Sequence, residues 1–184
     1  MDVRMDGRVA VITGASTGLG LAMAKEFAAS GASVALLARR PDVLAAAKSE
    51  VAKAAGKTNA KVETYSCDIA KAPNANSAPT SVSRAAGMAL TKALAHENAP
   101  HGVLVNAMLV GLIESDQWAR RHKTAGGGKS YEEFLAGMAK GRIPLGRMGK
   151  AEEFARLACF LCSDAGSYVT GVAINVDGGM SPVV

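Results

Sequence analysis

Short apolar runs alternate along this chain with longer stretches whose apolar positions recur at helical spacing. Val9–Thr13 reads as a strand, and Leu21–Ser30 as the helix after it, ended by Gly31. Ser33–Ala38 reads as a second strand, Pro41–Ala55 as a second helix stopped by Gly56, and Lys61–Cys67 as a third strand rich in β-favouring Val62, Thr64 and Tyr65. Strands alternating with helices predict βαβ units in a parallel sheet. The pattern then stops. Ile69 to Pro79 is a short polar loop with two prolines. A long helix follows from Ser81 to Glu97, ended by Pro100. Val103–Ala107 is the next predicted strand, Ala151–Ser163 a helix and Val172–Val176 the last strand. Between them, Ser115–Lys140 reads as an excursion with a hinge at Gly126-Gly127-Gly128. Neither an internal repeat nor an inter-domain linker interrupts residues 1–184, so one domain is expected.

Composition narrows this little. With 184 residues, 49% of them hydrophobic, the chain has enough material for one sizeable core. No apolar run approaches the ~20 residues of a membrane span, and Met1–Asp6 lacks the apolar core of a signal peptide. The expectation is a cytoplasmic protein without a membrane partner. The formal charge of +5 raises the question of nucleic acid. The basic residues are scattered and aromatic content is 4%, so a solvated surface with one phosphate-binding spot is the reading instead. Cys159-x-x-Cys162 has no second ligand pair, and its thiols are expected to be buried and inert.

The chemistry concentrates in Thr13-Gly14-Ala15-Ser16-Thr17-Gly18-Leu19-Gly20, between the first strand and the first helix. A glycine-rich turn in that context is the setting of a dinucleotide-phosphate site. Gly14 can adopt angles closed to residues with a Cβ. Gly18 permits close approach of a pyrophosphate, Gly20 tight helix packing, and the helix N-terminus offers unpaired N–H groups. A plain βα turn that binds nothing is the alternative.

The spacing Gly-x-x-x-Gly-x-Gly after Thr13 resembles the short-chain dehydrogenase/reductase family. So do Pro144-Leu145-Gly146-Arg147-Met148-Gly149, Glu152-Glu153, Ser167-Tyr168-Val169-Thr170-Gly171 and Val176-Asp177-Gly178-Gly179 in the C-terminal part. The resemblance covers residues 7–69 and about 77–181. It implies a doubly wound parallel sheet of Rossmann type and hydride transfer between a nicotinamide cofactor and a small carbonyl or alcohol substrate. It implies a cofactor site of Gly14, Ser16, Thr17, Gly18, Leu19 and Gly20. Asp68 would stand at the adenine, and Gly111, Ile113 and Ser115 near the nicotinamide end. An acidic residue ending the second strand would bind the ribose of NAD. Here Ala38 stands there, followed by Arg39, which can clamp a 2′-phosphate; NADP(H) is expected over NAD(H). Relatives usually form tetramers, and Ala85, Ala86, Ala89, Ala93 and Leu94 give the long helix a small-residue face, so a homotetramer or homodimer is expected.

The resemblance breaks in two places. Two βα units, roughly 60 residues or more, are missing near Ile69–Ser77, and with them the family's Asn-Asn-Ala-Gly turn and catalytic Ser. The family's Tyr-x-x-x-Lys aligns with Thr80 and Arg84. A Thr hydroxyl does not ionise near neutral pH, and guanidinium stays protonated. Thr80 and Arg84 are the only candidates for the catalytic roles. The competing reading is a catalytically silent protein that binds the cofactor or assembles with relatives. The gap also sets a structural alternative. In the family order 3-2-1-4-5-6-7, either Val103–Ala107 moves inward to pair with Val9–Thr13, or it keeps its distance and the molecule contains residues beyond these 184.

Other groups read as structural. His96 and His101 are spaced by five and separated by Pro100, which does not fit a helical zinc pair, so no metal is expected. His122 is expected in a solvated loop, and Tyr168 and Tyr65 in packing roles.

Overall fold

The computed structural model describes residues 3–66 and 78–182, with side chains in 78–85 excluded. β1 (Val9–Thr13), β2 (Ser33–Ala38) and β3 (Val62–Ser66) form a parallel sheet in the order β1-β2-β3. Register runs Val9 to Ser33 and Val34 to Val62. The crossovers are α1 (Gly18–Ala29) and α2 (Pro41–Ala55). Pro41 suits the first turn of α2, where its missing N–H costs nothing. Both helices pack against the sheet and each other, together with α6 (Ala151–Cys162).

The core lies under that helical layer. Val34, Leu36, Leu44, Val51 and Phe27 are buried with Ala24, Ala28, Ala47 and Cys159. The abundance of alanine lets α1 approach α6 and α2 closely. Leu36 and Val51 are wholly buried, and truncating a buried Leu to Ala costs about 2–5 kcal/mol. Met5 closes one end of this core, its N–H donating to the Ser30 carbonyl at 2.7 Å.

The second half contributes α3 (Ala78–Asn98), β4 (Ala107–Val110), α4 (Asp116–Ala125), α5 (Tyr131–Ala139) and β5 (Ala173–Val176). β4 and β5 pair in parallel as a separate sheet, Ala107 opposite Ala173. A second apolar cluster, Leu135, Ala139, Ile143 and Met148 with Trp118, Tyr131 and Phe134, holds α4 and α5 together.

Most predicted elements appear, with shifted ends. α1 begins three residues before the expected Leu21, and α3 begins before the expected Ser81. Val103–Ala107 is a correction: the strand is Ala107–Val110. Residues 103–106 are held by other bonds, since the Val105 N–H donates to Thr170 Oγ1 and Asn106 Nδ2 to the Val169 carbonyl. The excursion over 115–140 is two helices around the glycine hinge rather than an open loop. Of the two alternatives for the gap, the inward move is not seen. Among the described residues β4 pairs with β5 and not with β1, so β1 and β4 each keep an open edge. The stretch that would link the halves, residues 67–77, lies outside the described residues. The chain is thus an α/β parallel-sheet fold of Rossmann type, split where two further βα units would fit.

Four side-chain expectations are corrected. His122 is not a solvated loop residue: it sits on α4 with its ring 5.5 Å from Tyr131 and 5.4 Å from Phe134, and its Nε2 is 2.8 Å from the Lys129 carbonyl. Tyr168 is fully exposed and Tyr65 more than half exposed, so neither packs inside. Cys159 is buried as expected, but Cys162 is exposed.

Candidate functional site

The turn after β1 has the geometry its glycines suggested. Gly14 has φ +66° and Gly18 φ +58°, both in the left-handed region that side chains with a Cβ avoid. A Cβ on Gly20 would fall on the Gly14 carbonyl, so Gly20 is required sterically. The Ala15 N–H donates to the Leu37 carbonyl at 3.3 Å, which ties the turn to the end of β2.

Thr17 precedes α1 in extended conformation and its side chain does not cap the helix. No acidic residue occupies the first turn. The positive end of α1, with its N–H groups at Gly18, Leu19 and Gly20, therefore has no carboxylate of its own first turn upon it. Ser16, Thr17, Gly18 and Leu19 are half-buried, so part of each stays accessible.

Arg39 lies just past β2, exposed. Ser66 Oγ donates to its carbonyl at 3.1 Å, which places the end of β3 beside it. Ser115 stands against the turn: a Cβ on Gly18 would lie 3.8 Å from the Ser115 Cβ. Ser115 precedes α4 in extended conformation and makes no side-chain cap bond. Its position follows from a rigid approach. Gly111 passes so close to Asp177 that a Cβ there would meet the Asp177 Cβ at 2.5 Å, and its N–H donates to the Val176 carbonyl at 3.0 Å. Ile113 is buried and bridged in parallel to Gly149.

The turn, Arg39 and Ser115 thus come together from three loops at one edge of the sheet. Gly111 and Ile113 stand behind as supports. Asp68 lies outside the described residues. Thr80 and Arg84 fall in the first turns of α3, and their side chains lie outside the described residues as well. Among the described residues no cluster of His, Cys, Asp or Glu could hold a metal, and no helix is long and apolar enough to cross a membrane.

Some supports were quoted from the sequence only as family motifs, with no role in the site. Arg147 forms a two-pronged ion pair with Glu153, at 2.8 and 2.7 Å, and Glu153 also accepts from the Lys150 N–H at 2.8 Å. Chiefly the Arg147 guanidinium, and then the Lys150 N–H, hold the Glu153 carboxyl at about 2. With Ile113 and Asp177 this pair lines a cavity of about 190 Å³ beside the end of β4. Asp177 in turn accepts from the Gly179 and Ser181 N–H groups at 2.9 and 2.8 Å. The signal was there, since Arg-Met-Gly-x-x-Glu-Glu puts cation and acid six residues apart across a turn into a helix.

Comparison with known proteins decides the family. Residues 71–181 match the family model described as enoyl-(acyl carrier protein) reductase, and residues 8–82 the one described as short chain dehydrogenase. The chain belongs to the short-chain dehydrogenase/reductase family. The two matches of this short-chain dehydrogenase/reductase overlap at 71–82, the place where the predicted pattern stops. Over 100 residues the chain is 43% identical to 3-oxoacyl-[acyl-carrier-protein] reductase FabG of Aquifex aeolicus, a match covering 54% of this chain and 36% of that protein. The chain thus spans about a third of that relative's length. An uncharacterized oxidoreductase of Caenorhabditis elegans is 28% identical over 258 aligned positions, covering 97% of this chain and 81% of that protein. Those positions outnumber the chain's 184 residues, so at least 74 of them have no counterpart here. Among solved structures, an NADPH-bound short chain oxidoreductase from Pseudomonas aeruginosa, described as containing an atypical catalytic center, superposes with a TM-score of 0.85 at 26% identity. That match covers 98% of this chain and 99% of the other.

Proposed function

We propose that this chain is an NADP(H)-binding oxidoreductase acting on a small carbonyl or alcohol substrate. The observation that carries the reading is the uncapped, acid-free N-terminus of α1 behind a turn that only glycine can form at Gly14 and Gly20. Phosphate is the ligand such a helix end suits. Gly14, Ser16, Thr17, Gly18, Leu19 and Gly20 would hold the pyrophosphate. Arg39 would clamp a 2′-phosphate, since neither Ala38 nor Arg39 offers a carboxylate to a ribose hydroxyl. Asp68 would bind the adenine, and Ser115, backed by Gly111 and Ile113, the nicotinamide end. The cofactor, when bound, supplies or accepts the hydride.

The protein's own tasks are to orient the substrate and to move one proton at its oxygen. Thr80 can donate a hydrogen bond to that oxygen, and Arg84 can supply positive charge near it. That an NADPH-bound relative is described as having an atypical catalytic center supports cofactor binding beside a center that departs from the usual one. The catalytically silent alternative shares the same cofactor site and rests on the Thr and Arg at positions 80 and 84. Exposed Ala86, Ala89, Ala93 and Leu94 on α3 favour assembly into a homodimer or homotetramer.

Calorimetry with NADPH and NADH tests the cofactor reading. NADPH is expected to bind more tightly, and Arg39→Ala to remove the preference at a cost of about 1.5–3 kcal/mol, the range for a charged hydrogen-bonding group. Equal affinities in the parent chain would refute it.

A further inference from the structure

The two sheets run the same way. β1 leads into the turn that holds Gly18, β4 leads to Ser115, and a Cβ on Gly18 would touch the Ser115 Cβ. At the other end Arg8, just before β1, is ion-paired with Asp164, in the connection that leads to β5. Carboxyl ends therefore meet carboxyl ends, and amino ends meet amino ends.

Among the described residues neither β1 nor β4 has a strand on its outer side. The Ser33 N–H donates to the Arg8 carbonyl at 2.9 Å, so by strand alternation Val9 and Val11 turn their backbone groups away from β2. The Ala107 and Gly111 N–H groups donate to the Val172 and Val176 carbonyls at 2.9 and 3.0 Å, so Met108 and Val110 turn theirs away from β5. Apolar surface accompanies these edges. Val9 and Val11 are exposed on the face that α1 and α2 leave uncovered, and Met88, Leu90 and Leu94 are exposed on α3. Strands added beyond β1 advance opposite to β1-β2-β3. Right-handed crossovers then put their helices on that other face, with α3 among them as the crossover into β4.

We infer that the space from β1 to β4 is a docking slot for a separate polypeptide of two βα units, which completes the sheet. Strands that pair with both edges in the parallel sense of β1-β2-β3 and β4-β5 are parallel to each other. Parallel neighbours need a crossover of a dozen or more residues, usually a helix, which a simple hairpin lacks. The size agrees. At least 74 of the 258 positions aligned with the Caenorhabditis elegans oxidoreductase have no counterpart here, and one βα unit takes about 30 residues. The two family matches meet at 71–82, which places the break before the body of α3. Between β3 and α3 the chain has 11 residues, fewer than one unit needs. A second copy would offer its own β1 edge to this one and leave β4 bare.

The test co-expresses the full 184-residue chain with the stretch of the Caenorhabditis elegans oxidoreductase that falls between the counterparts of β3 and α3, carried on its own affinity tag. The expected result is a one-to-one complex by native mass. Amide exchange at Val9, Val11, Met108 and Val110 should slow at least about tenfold relative to the chain alone, as for groups taken into a ladder. A probe of the same composition in scrambled order should not be retained. Val11→Pro removes an N–H that faces the slot, at an edge position where proline is tolerated. Met88→Glu/Leu90→Glu puts charge on α3, away from the β1–β2 ladder. Each variant should weaken retention of the probe at least about tenfold. If Val11→Pro unfolds, the α3 variant decides, because it alters exposed side chains alone. Absence of a complex overturns the inference, as does equal retention of the scrambled probe or full retention by the α3 variant. Exchange at β1 and β4 as fast in the complex as in the chain alone overturns it too. So does a dimer of the chain that protects β1 and that excess probe does not dissociate, which would give the edge to a second copy.

Discussion

Gly14 and Gly20 show how much one residue can disclose. Their spacing predicted a turn that no other residue type would form, and a φ of +66° and the absent room for a Cβ are the physical content of that spacing. Arg39 was equally legible, because what matters there is which charge ends β2. Thr80 and Arg84 were legible only as departures. Their helical spacing of four puts them on one face, but it does not say whether a Thr hydroxyl suffices as a proton donor. Positioned acid–base groups typically contribute 10²–10⁴-fold. Carbonyl reduction by the parent chain is therefore expected to be weak, and Thr80→Tyr/Arg84→Lys to raise turnover at unchanged NADPH affinity. Steady-state kinetics on a panel of ketones checks this. Brisk turnover by the parent, unimproved in the double variant, would make Thr80 or a bound water the competent donor.

At the scale of elements, the sequence disclosed type and order well and pairing poorly. β4 shows why. Val103-Leu104-Val105 has the β propensity, so the strand was expected there, but Thr170 Oγ1 accepts from the Val105 N–H, the Asn106 amide binds the Val169 carbonyl and the Val172 N–H, and the ladder runs over Ala107–Val110. Such bonds join residues about 65 positions apart, which no local pattern reveals. His122 was misplaced for a similar reason: polar neighbours suggested solvent, yet Tyr131 and Phe134 arrive from the next helix to cover its ring. The Arg147–Glu153 pair at the start of α6 allows a signed prediction. Glu153 is held at about 2, below the ordinary 4.5. Its contribution is therefore fully present above about 4.5 and is lost as pH falls towards about 2. Both side chains are substantially exposed, so the effect is small. Glu153→Gln is expected to lower stability at neutral pH and to flatten the acid limb of the stability curve between those values. Urea titrations at several pH values measure it, and an unchanged acid limb would assign the limb to other carboxylates.

For the whole molecule, the decisive feature is that among the described residues β1 and β4 each have an unpaired edge. β1 exposes Val9 at 73% and Val11 at 66%, on the face that α1 and α2 do not cover. On α3, Met88 and Leu90 are exposed as well. A bare inner strand edge beside exposed apolar side chains is a template for pairing with another chain. The alternation of apolar residues made each strand legible, but no strand announces that its neighbour is missing. That had to come from counting βα units, and the 258-position alignment supports the count. The consequence is measurable. The 184-residue chain is expected to self-associate as concentration rises, to bind an apolar dye, and to show poor amide-exchange protection along the open edge of β1. Val9→Lys/Val11→Lys places charge on that edge and should suppress self-association while leaving NADPH affinity intact, because the turn at Gly14–Gly20 lies at the end of the strand. Sedimentation velocity on parent and variant decides it. A parent chain that stays monomeric over a hundredfold range of concentration, unfolds cooperatively and binds no dye would mean that the edges of β1 and β4 are covered from within.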